Sequence, residues 1–215
     1  MLDQWLKNFT QIITNNFPER IVFIGIQGSY AREEANENSD IDVVVIFDKL
    51  SYHDIKCYDE IISKMSMCDK ICGFISGKKE LENWEKSDLF QFYHDTITLY
   101  GNLDFIRNLI TMQDISRAVK IGACNIYHMC VHNAIHEKSS EILKDLLKSA
   151  FFVMQAKYYL ENQKYIHKRQ ILMQHVSPEE KEILLIYSEN KYINNLDSVS
   201  EKLINWASDL ICQLS

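Results

Sequence analysis

The chain has 215 residues, 47% of them hydrophobic and 25% charged, with a net charge of −7. That is enough for one large or two small ordered domains, and no apolar run approaches the roughly 20 residues of a membrane span. The surplus of acid excludes a general nucleic-acid binder, whose affinity rests on Lys and Arg against phosphates, but not a nucleotide whose charge is met by a metal ion.

Residues 2–16 place Leu2, Trp5, Leu6, Phe9, Ile12 and Ile13 at helical spacing. With an early Asp3 the segment reads as an amphipathic helix rather than a leader, and a cytoplasmic protein is expected. Residues 21–26, IVFIGI, predict a buried strand that ends in a turn at Gly28, and residues 41–47, IDVVVIF, a second strand rich in β-branched side chains. A helix is expected over 52–67, a third strand over 70–76, a helix over 79–93 and a fourth strand over 96–100, closed by Gly101. Beyond Gly101 helical periodicity runs almost unbroken. Ser177-Pro178-Glu179-Glu180 marks one helix start, with an N-cap, a proline at the first position and acids in the first turn. The expected fold is α/β (α+β): a small mixed-sheet domain over 1–105, followed by an all-helical bundle of four or five helices over 106–215. The apolar stripe of Phe151, Phe152, Met154 and Tyr158 exceeds what a self-contained bundle needs, so docking on the first domain or on a second copy in a homodimer is expected.

The six cysteines form no CxxC pair, and neighbours such as Ile71 and Phe74 predict buried free thiols in a reducing compartment. His128, His132 and His136 recur at four-residue spacing on one helix face, which reads as a polar face rather than a metal stripe. Arg169 and His175 stand six apart in a basic segment and are read as chance.

The chemistry concentrates in residues 28–47, GSYAREEANENSDIDVVVIF. Asp40 and Asp42 are two apart at a strand start, so both side chains leave the same face, where their mutual repulsion is relieved by a cation. Mg²⁺ favours a few hard oxygen ligands and fills its remaining positions with water or phosphate oxygens, which suits phosphoryl and nucleotidyl transfer. Upstream, Gly28 lets backbone approach a phosphate, and Ser29 offers an amide and a hydroxyl. Arg32, one turn on, reaches phosphate or anchors the site.

Gly28-Ser29, ten intervening residues, then Asp40-Ile41-Asp42 resembles the signature of the DNA polymerase β-type nucleotidyltransferase superfamily. The fuller string is similar to its small bacterial members, among them the aminoglycoside and lincosamide nucleotidyltransferases and the minimal enzymes paired with HEPN toxins. A helical second half is closer to the antibiotic-modifying type. The resemblance implies that Gly28 and Ser29 hold the phosphates of a nucleoside triphosphate and that Asp40 and Asp42 bind Mg²⁺, two ions in all. It implies transfer of a nucleoside monophosphate to a hydroxyl of a small acceptor, with release of pyrophosphate. It also implies a lysine on the phosphates, with Lys157 and Lys168 as candidates, and a general base from the helical half, Glu137 or Glu141. The third carboxylate expected on the neighbouring strand is missing from KICGFIS, which leaves Asp69, Glu80 or the helical half to supply it. Two other readings stand beside this one: an adenylyltransferase acting on a partner protein of toxin–antitoxin type, and a catalytically weak nucleotide-binding module.

Overall fold

The computed structural model describes residues 2–214. The chain divides into two compact units: the first runs to Glu85 and resumes over Phe92–Leu109, and the second takes Lys86–Gln91 and continues from Ile110.

The first unit contains α1 (Leu2–Asn16), β1 (Ile21–Ile26), α2 (Gly28–Ala31), β2 (Ile41–Phe47), α3 (Tyr52–Ile62), β3 (Ile71–Gly77) and α4 (Lys78–Glu82). The helix α5 (Lys86–Asp95) is divided between the units, and β4 (Ile97–Gly101) and α6 (Asp104–Arg107) complete the first. The sheet order is β3-β2-β1-β4. β1 is antiparallel to β2 and β4, whereas β2 and β3 are parallel, with α3 in the crossover that a parallel pair demands. Alternation along β2 sends Ile41, Val43, Val45 and Phe47 into a core with Trp5, Phe9 and Ile13 of α1 and Tyr58 of α3. Asp42, Val44 and Ile46 therefore face the other way.

Two helices differ from the sequence reading. The helix over 52–67 stops at Ile62, and the carbonyl of Ser66 accepts from Trp5 Nε1 at 2.9 Å while Met67 takes φ 62°. The helix over 79–93 breaks into α4 and α5, because Asn83 turns its amide back onto the Lys79 carbonyl at 2.9 Å and competes with the backbone ladder.

The second unit is helical: α7 (Met112–His132), a π-helical turn over Asn133–Glu137, α8 (Ser140–Asn162), α9 (Arg169–Leu172), α10 (Pro178–Ser188) and α11 (Leu196–Gln213). Ser177 caps α10 with Pro178 in its first turn and Glu180 closing a capping box, as the sequence reads. Phe151 and Met154 are fully enclosed, and Phe152 and Tyr158 pack against the same core as Leu184, Leu203 and Ala207. The bundle's own core thus takes up Phe151 and Met154 and leaves Phe152 and Tyr158 partly buried. The cysteines also depart from expectation, since Cys130 alone is buried while Cys68, Cys72, Cys124 and Cys212 are exposed. Cys124 shows why: the helical period takes Ala123 and Ile126 inward and turns Cys124 and Asn125 between them outward. No helix among the described residues is long and apolar enough to cross a membrane.

Candidate functional site

β1 and β2 run antiparallel, and Gln27 extends their ladder by donating its backbone N–H to the Asp42 carbonyl at 2.8 Å. The next residue, Gly28, adopts φ +70°, and a Cβ built there would stand 1.8 Å from Asp42 Oδ2. The glycine is required twice over, by its backbone angle and by the carboxylate that fills the side-chain position. Ser29 follows in the first turn of α2, where amides have no carbonyl ahead of them to bond. The Gln27 side chain fixes this turn from behind, donating to Thr96 Oγ1 at 2.6 Å and to the Phe92 carbonyl at 3.3 Å.

Between α2 and β2 the chain closes a small polar turn. Asn36 accepts from Asn38 N through Oδ1, at 2.9 Å, and donates its own N–H to Ser39 Oγ, also at 2.9 Å. This delivers Asp40 exposed and Asp42 half-buried, with the fully enclosed Ile41 pointing the opposite way between them. Asp42 leaves β2 on the face opposite Ile41, and Asp40 immediately precedes the strand. Arg32 is not a solvated side chain. It is 6% exposed, its Nε lies 3.3 Å from Glu34 Oε2, and its Nη1 lies 3.7 Å from Asp95 Oδ2. Its ion pairs tie α2 to the end of α5. Asp95, itself 6% exposed, is a buried carboxylate that the sequence reading passed over. Its signal was faint: an acid beside a predicted helix end, with nothing to say that it turns inward.

The parallel register sets Asp42 opposite Cys72, so no acid of β3 stands beside the pair. Asp69 lies exposed in the 3-10 turn ahead of β3. Glu80 is excluded as a third ligand. A Cβ on Gly77 would meet Glu80 Oε2 at 2.2 Å, and Gly77 is in register with Phe47, five residues beyond Asp42 and roughly 17 Å along the strand.

In the second unit, Glu137 closes the π-helical turn with Oε1 3.6 Å from His132 Nε2, and Glu141 projects from the first turn of α8 with Lys144 Nζ 3.7 Å away. Lys157 is engaged internally, 3.0 Å from Glu180 Oε1 and 3.5 Å from Glu161 Oε1. Burial opposes the charge on Glu180, but Lys157 and the Ser177 cap outweigh it and bring that carboxyl below its usual range. Lys168 caps α9 at the end of a non-helical strap, held by the buried Gln155 amide, which donates to the Ile166 carbonyl at 2.7 Å and the His167 carbonyl at 3.3 Å. The His132 and His136 rings lie 4.8 Å apart, yet among the described residues no three His, Cys, Asp or Glu side chains are gathered for a metal. Arg169 is sandwiched between Phe151 and Tyr187, its guanidinium 4.7 Å and 4.0 Å from their ring centres.

The four-stranded mixed sheet and the helical unit that follows it match the nucleotidyltransferase fold. Residues 6–110 match the family model described as the nucleotidyltransferase domain, so the first unit carries such a domain. Among solved structures, the spectinomycin adenyltransferase AAD(9) from Enterococcus faecialis, crystallised with ATP and spectinomycin, is similar over 97% of this chain and 98% of its own. The TM-score is 0.59 at 14% identity, a likeness of fold that extends through the helical unit. No curated protein matches the chain.

Proposed function

We propose that the protein is a metal-dependent nucleotidyltransferase that moves a nucleoside monophosphate from a nucleoside triphosphate to a hydroxyl of a small acceptor. The observation that carries this reading is the fit of Gly28 to Asp42: a positive-φ glycine whose missing side chain leaves room for the Asp42 carboxylate. Asp40 and Asp42 offer the hard oxygens that suit Mg²⁺, and two such ions would neutralise charge on the triphosphate. The chain's own part is to orient. The Gly28 backbone and Ser29 seat the phosphates, and Gln27 holds that turn against Thr96. The acceptor oxygen bonds to the α-phosphorus, the bond to the bridging oxygen breaks, pyrophosphate leaves, and a carboxylate takes the hydroxyl proton. Glu137 or Glu141 fills that role in this reading, and Lys157 or Lys168 contacts phosphate. The acidic surface and the similarity to an adenyltransferase solved with an antibiotic favour a cationic, hydroxylated small molecule as acceptor.

The test is Asp42→Asn, assayed for pyrophosphate release with Mg²⁺, a triphosphate and a panel of hydroxylated acceptors. Turnover is expected to vanish while the melting temperature holds or rises slightly, since one of two repelling charges is gone. Turnover near the wild-type level would sink the assignment. A nucleotide-binding module without catalysis is the second reading, favoured by Cys72 standing where β3 would otherwise carry an acid. Triphosphate binding without pyrophosphate release across the panel would select it.

A further inference from the structure

The sheet face that carries Asp42 also carries a ring cluster that the proposed chemistry leaves unused. Register pairs Asp42 with Cys72 and Val44 with Phe74, so Phe74 lies on the Asp42 face, one strand over and two residues along, about 8 Å away. Its ring meets Trp84 edge-on at 5.5 Å and 88°, and Phe92 at 5.2 Å and 66°. Trp84 sits in the break that Asn83 makes between α4 and α5. Trp84 is 43% exposed, whereas Trp5 and Trp206 are 7% and 3% exposed. A ring edge props the indole while much of its surface stays in water, the geometry of an aromatic side chain available for stacking.

We infer that Trp84 is a stacking platform for the base of the nucleoside triphosphate. This rests on the nucleotidyltransferase reading, which puts the phosphates at Gly28 and Ser29. The Trp84 ring packs on Phe74, whose backbone stands about 8 Å from that of Asp42, the residue that abuts the Gly28 turn. An aromatic plane serves any base, because every base offers a π-face.

Because Trp5 and Trp206 are enclosed, emission changes on titration report chiefly on Trp84. The full-length protein is titrated with non-hydrolysable nucleoside triphosphates and Mg²⁺, following tryptophan emission and heat, with inorganic tripolyphosphate in parallel. The triphosphates are expected to quench emission. Trp84→Leu should bind them roughly tenfold more weakly and leave tripolyphosphate affinity unchanged, and Trp84→Phe, which keeps the ring packing, should fall between. Unchanged nucleotide affinity in Trp84→Leu, with silent emission, overturns the platform and leaves the nucleotide reading standing. Quenching by an acceptor and not by nucleotides overturns it in favour of an acceptor wall. If the wild-type protein binds neither nucleotides nor tripolyphosphate, the functional reading itself falls.

Discussion

Gly28 is the residue on which sequence and site agree most tightly. Gly28→Ala forces a side chain into a left-handed backbone, a loss of roughly 1–2 kcal/mol of stability, and presses it on Asp42 Oδ2. Calorimetry should therefore find triphosphate binding weakened by more than the drop in melting temperature explains; unchanged affinity would count against a phosphate cradle at this turn. Asp54 is a second residue with a readable consequence. Arg20, at 2.8 Å, and then the Ser51 hydroxyl hold its carboxyl well below the usual carboxylate range, against its burial. A depressed carboxyl stabilises the fold fully above the unfolded value of about 4 and loses that contribution as pH falls towards its folded value. The gap in melting temperature between wild type and Asp54→Asn should be constant near neutrality and shrink below about pH 4. A gap at pH 2.5 as wide as at neutrality would mean that the Arg20 pair is not its source.

At the scale of elements, the strands were legible because β-branched runs bounded by Gly28 and Gly101 leave few alternatives, and α10 because Ser177, Pro178 and Glu180 write its cap out in full. What periodicity could not convey was interruption. Asn83 splits a helix by a side-chain bond that the apolar pattern does not encode, and the pairing of Arg32 with Asp95 was hidden because the two are distant in sequence. The π-helical turn was equally hidden. Its wider ring, closed by Lys138 N on the Asn133 carbonyl at 2.7 Å, brings Glu137 beneath His132, five residues earlier, where an α-helix would point it away. Asn133, fully buried, stitches this turn to the start of α8 by donating to the Ser139 carbonyl at 3.0 Å and accepting from Ser139 N at 2.9 Å. Asn133→Leu strands both Ser139 groups, so a loss of about 2 kcal/mol is expected, or about 4–8 °C in the melting temperature. A melt within one degree of wild type would show that the turn is held by something else.

At the scale of the molecule, the family model ends at residue 110 and the first unit at Leu109, yet residues 86–91 belong to the second unit. Phe90, 1% exposed, joins the helical core beside Tyr159 and Tyr165, with ring centres 5.0 Å and 5.8 Å away, and Gln91 donates to Tyr165 Oη at 2.7 Å. A fragment ending at Leu109 strips those partners from the first half of α5. Hydrogen exchange on it should find the amides of 86–91 unprotected while β1 and β2 stay protected; full protection across α5 would contradict the division. The divided helix also bears on how such a chain can change over generations. A recombination joint placed after the sheet would hand Phe90 and Gln91 to a foreign bundle that has no seat for them. A change at Phe90 or Gln91 therefore has to be met by Gln155, Tyr159 and Tyr165, and a graft of the helical unit keeps its packing only if it carries residues 86–91 along.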